Sequence, residues 1–163
     1  MVWGAIWLGG RSELIVMERE VEIDPASKKR GYTAISYISA LEKGLIPYYQ
    51  PGSIFQQDNA RIHTAKLTQE WFETHGVYVE DWPPHSPDLN PIEPVWRWLK
   101  LKLFQLFPEL IHMGRSEEDW QVFKRCIKVA WNAIPQEKID ALILSMGRRC
   151  KAVQRARGYY TKY

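Results

Sequence analysis

Apolar residues at the start of the chain fall into two short runs, Met1 to Leu8 and Ser12 to Met17, rich in Val, Ile, Leu and Trp. Gly9, Gly10 and Arg11 separate them, a pattern that predicts a β-hairpin with a glycine turn. Glu18 to Gly31 breaks the apolar pattern with Asp24-Pro25 and Lys28-Lys29-Arg30, and reads as a surface connection. Ile35, Ile38, Leu41 and Leu45 then recur near one helical face before Pro47, which predicts a helix. Ser53 to Gln57 predicts a short strand that delivers Asp58 at its C-terminal end, the edge at which open α/β sheets build sites.

His63 to His75 predicts a second helix, with Leu67, Trp71 and Phe72 inward and Gly76 as its cap. Val77 to Trp82 alternates as a strand does. Five prolines between Pro83 and Pro94 exclude regular structure and predict a rigid loop that launches a helix from about Glu93. Pro94 suits the first helical position, which would put Glu93 at or beside the N-cap. Ser116 followed by Asp119 predicts a helix start, with Trp120, Phe123, Ile127, Ala130, Trp131 and Ile134 along one face. A last amphipathic helix carries Ile139, Leu142, Ile143 and Met146 and ends near Gly147. Strands alternating with helices, then helices alone, predict an α/β domain with a mixed sheet.

The length of 163 residues suits a single domain over 1–163 that buries roughly 68 to 70 % of its unfolded surface. Apolar and charged residues at 45 % and 25 % are globular values and argue against a disordered or fibrous chain. No apolar run approaches the length of about 18 residues that a membrane span needs, and no basic stretch precedes the first apolar run. Neither a span nor a signal peptide is expected. Cys126 and Cys150 lie apart from each other and from the histidines, with neither disulfide-framework nor zinc-ligand spacing, so reduced intracellular thiols are expected.

Charge is distributed unevenly. Residues 1–95 hold 8 basic and 13 acidic side chains, while residues 96–163 hold 14 basic and 6 acidic. From Gly147 onward Arg148, Arg149, Lys151, Arg155, Arg157 and Lys162 are joined by no acidic residue. This basic tail, 147–163, is either a phosphate-contacting footprint or a solvated helical end.

Two acidic residues stand in distinctive surroundings: Asp58 in FQQDNARIHTA and Glu93 in WPPHSPDLNPIEPVW, with thirty-four residues between them. Carboxylates brought together by a fold can hold divalent ions for phosphodiester chemistry. Taken singly, Asp58 reads equally as a turn former and Glu93 as a helix-start carboxylate. Both segments together, with SMGRRCKAVQRARGYYTKY closing the chain, resemble the catalytic domain of the Tc/mariner superfamily of cut-and-paste DNA transposases. His85 in WPPHSPD and Pro94 after Glu93 are small departures from the usual wording of that family.

The resemblance implies an RNase H-like fold and an Asp, Asp, Glu triad, with Asp58 as the second Asp and Glu93 as the final Glu. It places the first Asp on a strand upstream of the segment that matches MVWGAIW. The fold is accordingly expected to lack its first, central strand, and Asp24, before a proline in a charged connector, is no substitute. The implied cofactor is a pair of Mg²⁺ ions, with Mn²⁺ as substitute. The implied partners are double-stranded DNA, as element ends and target, and a second copy or an intact relative. The implied location is the nucleus. Helix-turn-helix units for reading element ends are not found in these residues. Asn59 and His63 are supporting candidates beside Asp58, and Arg148, Arg149, Lys151, Arg155 and Arg157 are the DNA-binding candidates. Asp88 and Asn90 are read as pinning the loop that positions Glu93, and Trp82, Trp96 and Trp98 as core more than as base-stacking residues.

Three expectations follow. The Asp58 and Glu93 carboxylates approach closely enough to share one or two ions. The chain by itself does not cleave DNA, the rival reading being a non-catalytic remnant that binds DNA or pairs with an intact relative. The hairpin at 2–17 and the strand at 53–57 either close up against each other or leave a gap.

Overall fold

The computed structural model describes residues 1–19, 31–84, 86–159 and 161–162. Most of the charged connector, including Asp24, and His85 of the proline loop lie outside the described residues. The chain forms two compact units, Met1–Ala5 with Ser12–His85, and Ile6–Arg11 with Ser86–Tyr163.

The expected hairpin forms as four short pieces: β1 (Val2–Trp3), β2 (Ile6–Trp7), β3 (Gly10–Arg11) and β4 (Ile15–Val16). β1 pairs antiparallel with β4, Trp3 opposite Ile15, and β2 with β3, Trp7 opposite Gly10. Gly10 and Arg11 therefore belong to a strand, and the turn lies at Leu8-Gly9. Gly9 takes φ of 80°, a left-handed value open to glycine at no steric cost.

In the first unit, α1 (Ala34–Gly44) starts at a capping box between Thr33 and Ser36. β5 (Ile54–Phe55), α2 (Lys66–Thr74) and β6 (Tyr78–Val79) follow, with β5 and β6 parallel. A helix between two parallel strands is the crossover such pairing requires. Trp3, Met17, Tyr37, Ala40, Leu41, Leu45, Trp71, Phe72 and Val77 form the core, with Phe55, Ile62 and Val79 packed against it.

The buried stripe of α1 is Tyr37, Ala40, Leu41 and Gly44, the i, i+3, i+4, i+7 row. Ile35, expected inward, is 57 % exposed. The core presents the Trp3 ring to this helix, and only glycine fits under it: a Cβ on Gly44 would lie 2.3 Å from Trp3 Cζ3. On α2, Leu67 is likewise exposed and Thr68 is buried in its place. Its hydroxyl donates to the Ile62 carbonyl at 2.7 Å, which removes the cost of burying it. Among the described residues β5 and β6 pair only with each other. Among the described residues the hairpin and this strand do not close up into one sheet.

In the second unit, 3₁₀ turns at Pro87–Leu89 and Pro108–His112 flank α3 (Ile92–Leu106), followed by α4 (Glu117–Asn132), α5 (Gln136–Leu144) and α6 (Met146–Arg155). Val95, Leu99 and Leu103 of α3 and Ile127, Ala130 and Trp131 of α4 are buried, and Trp96 stacks on Trp131 at 5.4 Å. Arg11 donates to the carbonyls of Trp131 and Ile134 at 2.7 and 2.6 Å, at the C-terminal end of α4. Trp120, expected on the inner face of α4, is 41 % exposed in its first turn.

The helix expected to end near Gly147 ends at Leu144, but it is not the last, since α6 follows from Met146. Gly147 lies inside α6 and keeps an ordinary negative-φ backbone, whereas a stopping glycine takes the left-handed conformation. That conformation appears at Arg157 and Gly158, with φ of 53° and 84°, beyond the end of α6. Among the described residues no helix is long and apolar enough to cross a membrane. Cys126 is buried and Cys150 exposed, both free.

Candidate functional site

Asp58 lies three residues beyond β5, in the stretch that joins this strand to α2. Its Oδ1 accepts from the Ala60 backbone N–H at 3.1 Å, a turn that Asp closes on its own backbone. The same oxygen lies 2.7 Å from His63 Nδ1, which is also 3.1 Å from the Asp58 carbonyl. Both neighbours are acceptors, so Nδ1 carries the proton. Asn59 donates its side-chain amide to the Trp82 carbonyl at 2.7 Å, tying this segment to the one after β6. The Asp58 side chain remains 58 % exposed.

Beneath this exposed carboxylate lies Tyr37, 1 % exposed. The His63 ring rests against it at 4.4 Å between centroids, tilted by 38°. The Tyr37 hydroxyl donates to Gln57 Oε1. Burial pushes the phenol above its ordinary titration range; a Trp3 hydrogen bond opposes the rise and the Asp58 charge adds to it.

Glu93 is the second residue of α3 and is exposed. Pro94 therefore occupies the third helical position and not the first, which is tolerated because amides of the first turn have no intrahelical acceptor. Asn90 holds a backbone N–H where the loop enters this helix, as expected: its Oδ1 accepts from the Ile92 N–H at 3.3 Å. A carboxylate in a first helical turn is stabilised by the macrodipole. Asp88, buried in the preceding 3₁₀ turn, accepts from Thr161 Oγ1 at 2.9 Å on its carboxylate and from Arg149 Nη1 at 2.6 Å on its carbonyl.

That last hydrogen bond corrects the reading of the basic tail. Arg149 is 2 % exposed, with Nε on Ser145 Oγ at 2.8 Å. Its guanidinium is spent inside the fold and has no face to offer a phosphate. Arg148, Lys151, Arg155 and Arg157 are exposed. The first three recur at near-helical spacing on α6.

The sequence-predicted site residues thus fall into two groups. Asp58, Asn59 and His63 meet in the first unit, and Glu93 stands in the second with the cations of α6. Tyr37 and Gln57, which support Asp58 and His63, were not legible as site residues; the one trace of Tyr37 is its place in the buried stripe of α1. Trp96 packs on Trp131 and Trp98 lies under Lys138, 5.7 Å from its Nζ, which accounts for both rings without a nucleic acid.

Among the described residues no group of three or more His, Cys, Asp or Glu could hold a metal ion. The donors at Asp58 and Glu93 are exposed, hard carboxylate oxygens. In kind they suit a small divalent cation, which takes one or two protein carboxylates and completes its shell with water and substrate phosphate.

Residues 12–113 match the family described as DDE superfamily endonuclease. The Tc1 transposase of Caenorhabditis elegans is 43 % identical over 112 residues, covering 69 % of this chain and 38 % of that protein. The Tc3 transposase of the same organism is 31 % identical over 165 residues, covering 100 % of this chain and 45 % of that protein. The chain therefore spans less than half the length of these curated relatives. Among solved structures, the Mos1 transposase catalytic domain with Raltegravir and Mn superposes with a TM-score of 0.58 at 19 % identity, over 99 % of this chain and 83 % of that one. The Mos1 mariner paired end complex with Mn gives 0.57 at 24 % identity, over 82 % and 39 %. These likenesses show the fold, an RNase H-like α/β arrangement.

Proposed function

Because the chain belongs to the DDE superfamily endonucleases, among the Tc/mariner transposases, we propose that it is the catalytic domain of a cut-and-paste DNA transposase. The observation that carries this reading is Asp58: an exposed carboxylate just past a parallel strand pair, its Oδ1 held by His63 and Ala60, inside the segment that matches the family. Asp58 and Glu93 are the carboxylates that serve strand cleavage and strand transfer, and His63 and Asn59 orient the Asp58 segment. Mg²⁺, with Mn²⁺ as substitute, is the ion they would hold; Mn accompanies the Mos1 domain in its solved structures. When bound, such ions stabilise the attacking and leaving oxygens of a phosphodiester.

The substrate is double-stranded DNA, held in part by phosphate contacts from Arg148, Lys151, Arg155 and Arg157. The working assembly includes a second copy or an intact relative, and the place of action is the nucleus. A second reading, a non-catalytic domain that binds DNA or pairs with an intact transposase, is favoured by one observation: the described residues supply no three-ligand metal cluster.

Cleavage of end-containing DNA in Mg²⁺ or Mn²⁺ tests both. The chain alone is expected to give no nicking above background. Preceded by the upstream catalytic-domain segment of the Tc1 transposase, it is expected to cut, and Asp58→Ala or Glu93→Ala to abolish cutting. Cutting that survives both substitutions overturns the assignment of these carboxylates. DNA binding with no cutting in the extended protein establishes the second reading.

A further inference from the structure

We propose that Tyr37 is a positioning residue for Asp58, holding the loop on both sides of that carboxylate from beneath. The inference rests on the reading of Asp58 as a functional carboxylate. Gln57 immediately precedes Asp58 and His63 follows it, and one buried side chain touches both: the Tyr37 hydroxyl donates to Gln57 and the Tyr37 ring supports the His63 imidazole at 4.4 Å. His63 in turn carries its Nδ1 to Asp58 Oδ1 at 2.7 Å.

A core aromatic with packing duty alone could be Phe. Tyr37 carries a hydroxyl that burial strips of water, and a buried hydroxyl is kept without penalty only where it finds a partner. Trp3 provides a hydrogen bond from the core, and the acceptor for the hydroxyl proton comes from the segment beside Asp58, twenty residues further along the chain. Tyr37 is itself immobilised, 1 % exposed on the inner stripe of α1. Asp58, by contrast, is more than half exposed. An exposed carboxylate on a loop ordinarily samples several rotamers, and a site on a loop is precise only where its supports are locked by packing and hydrogen bonds. Tyr37 transfers the rigidity of the core to that carboxylate.

The test uses the 163-residue chain carrying Tyr37→Phe, Gln57→Leu, or both, with Asp58→Ala as reference. Two quantities are read: the Asp58 carboxyl ¹³C resonance without metal, and the affinity for Mn²⁺ alone. Each single substitution removes the Tyr37–Gln57 hydrogen bond, and Tyr37→Phe removes the Trp3 hydrogen bond as well. Each is therefore expected to shift the Asp58 resonance and to weaken Mn²⁺ about ten-fold, the lower end for outer supports of a metal ligand. The double variant should lose no more than Tyr37→Phe alone, with unfolding temperatures within a few degrees of the parent. An unchanged resonance together with unchanged Mn²⁺ affinity in both single variants overturns the proposal. If Tyr37→Phe does not fold, Gln57→Leu decides alone. Should Asp58→Ala leave Mn²⁺ binding untouched, the metal reading of Asp58 fails, and the metal-free resonance still decides the positioning role.

Discussion

The guanidinium of Arg149 donates to the backbone carbonyl of Asp88 at 2.6 Å, joining the C-terminal helix to the turn that leads into Glu93 across 61 residues of chain. Arg149 is thereby a structural part of the Glu93 loop. Arg149→Ala is expected to destabilise the protein by about 2 kcal/mol, the scale for losing a hydrogen bond to a charged group in a buried setting. Thermal unfolding should fall by about 4 to 8 °C. A variant that unfolds like the parent would remove the anchor role.

The neighbouring cations predict the opposite split. Arg148, Lys151 and Arg155 are exposed along α6, so replacing all three by Ala should leave thermal unfolding nearly unchanged. DNA affinity should drop, and its logarithmic dependence on salt should become shallower by about 0.9 for each phosphate that the variant no longer neutralises. Binding titrations at several salt concentrations check this, and an unaltered slope would exclude the helix from the DNA footprint.

Asp140 gives the second unit a pH dependence. Its carboxyl is held below the ordinary value first by the Gln136 side chain, then by the Gly9 N–H at 2.9 Å, with Arg11 also contributing. A depressed folded-state value means stabilisation that is present above the unfolded value of about 3.9 and lost as pH falls through the folded one. The parent should therefore lose more stability than Asp140→Asn in the acid range below about pH 4. Parallel acid-unfolding curves for the two would contradict the linkage.

Gly44→Ala sets helix propensity against packing. In an open helix the change stabilises by about 1 kcal/mol. Here the added methyl would sit 2.3 Å from Trp3 Cζ3 and 2.9 Å from Ile15 Cγ1, and overpacking costs about 1 to 3 kcal/mol. Net destabilisation is expected by denaturant titration; a stabilised variant would mean that the Trp3 ring yields freely.

The two-stranded β5–β6 pair leaves Ile54 and Tyr78, directly opposite one another, 64 % and 60 % exposed. Unpaired strand edges beside apolar side chains favour association with other chains. Size-exclusion chromatography is expected to show concentration-dependent self-association. A sharp monomer peak at every concentration, with cooperative unfolding well above about 65 °C, would show that these edges need no cover.

Local chemistry was legible in the chain itself. The capping box at Ser116 and Asp119, the proline loop ahead of α3, the Asn90 side chain that pins it and the strand before Asp58 each depend on neighbouring residues, whose backbone preferences act over a few positions. The pair of motifs around Asp58 and Glu93 likewise identified the family from sequence. Periodicity located most of the inner faces of α2 and α4, with Trp71, Phe72, Ile127, Ala130 and Trp131 buried, but not that of α1 at its start, because two adjacent apolar rows compete on that helix. On α1 the choice fell to Tyr37, Ala40, Leu41 and Gly44 because the Trp3 ring needs glycine beneath it. Gly147 could not be told from a helix stop, since its φ is chosen by the packing of α6 and not by glycine alone. The same holds for Arg149 and Tyr37. One lies in a run of like charges and the other in an apolar stripe, and nothing local distinguishes a cation for DNA from one that binds Asp88, or a packing ring from one that supports His63. Burial and partners distant in the chain decided those roles, because hydrogen bonds across 61 and 20 residues exist only once the fold has brought their ends together.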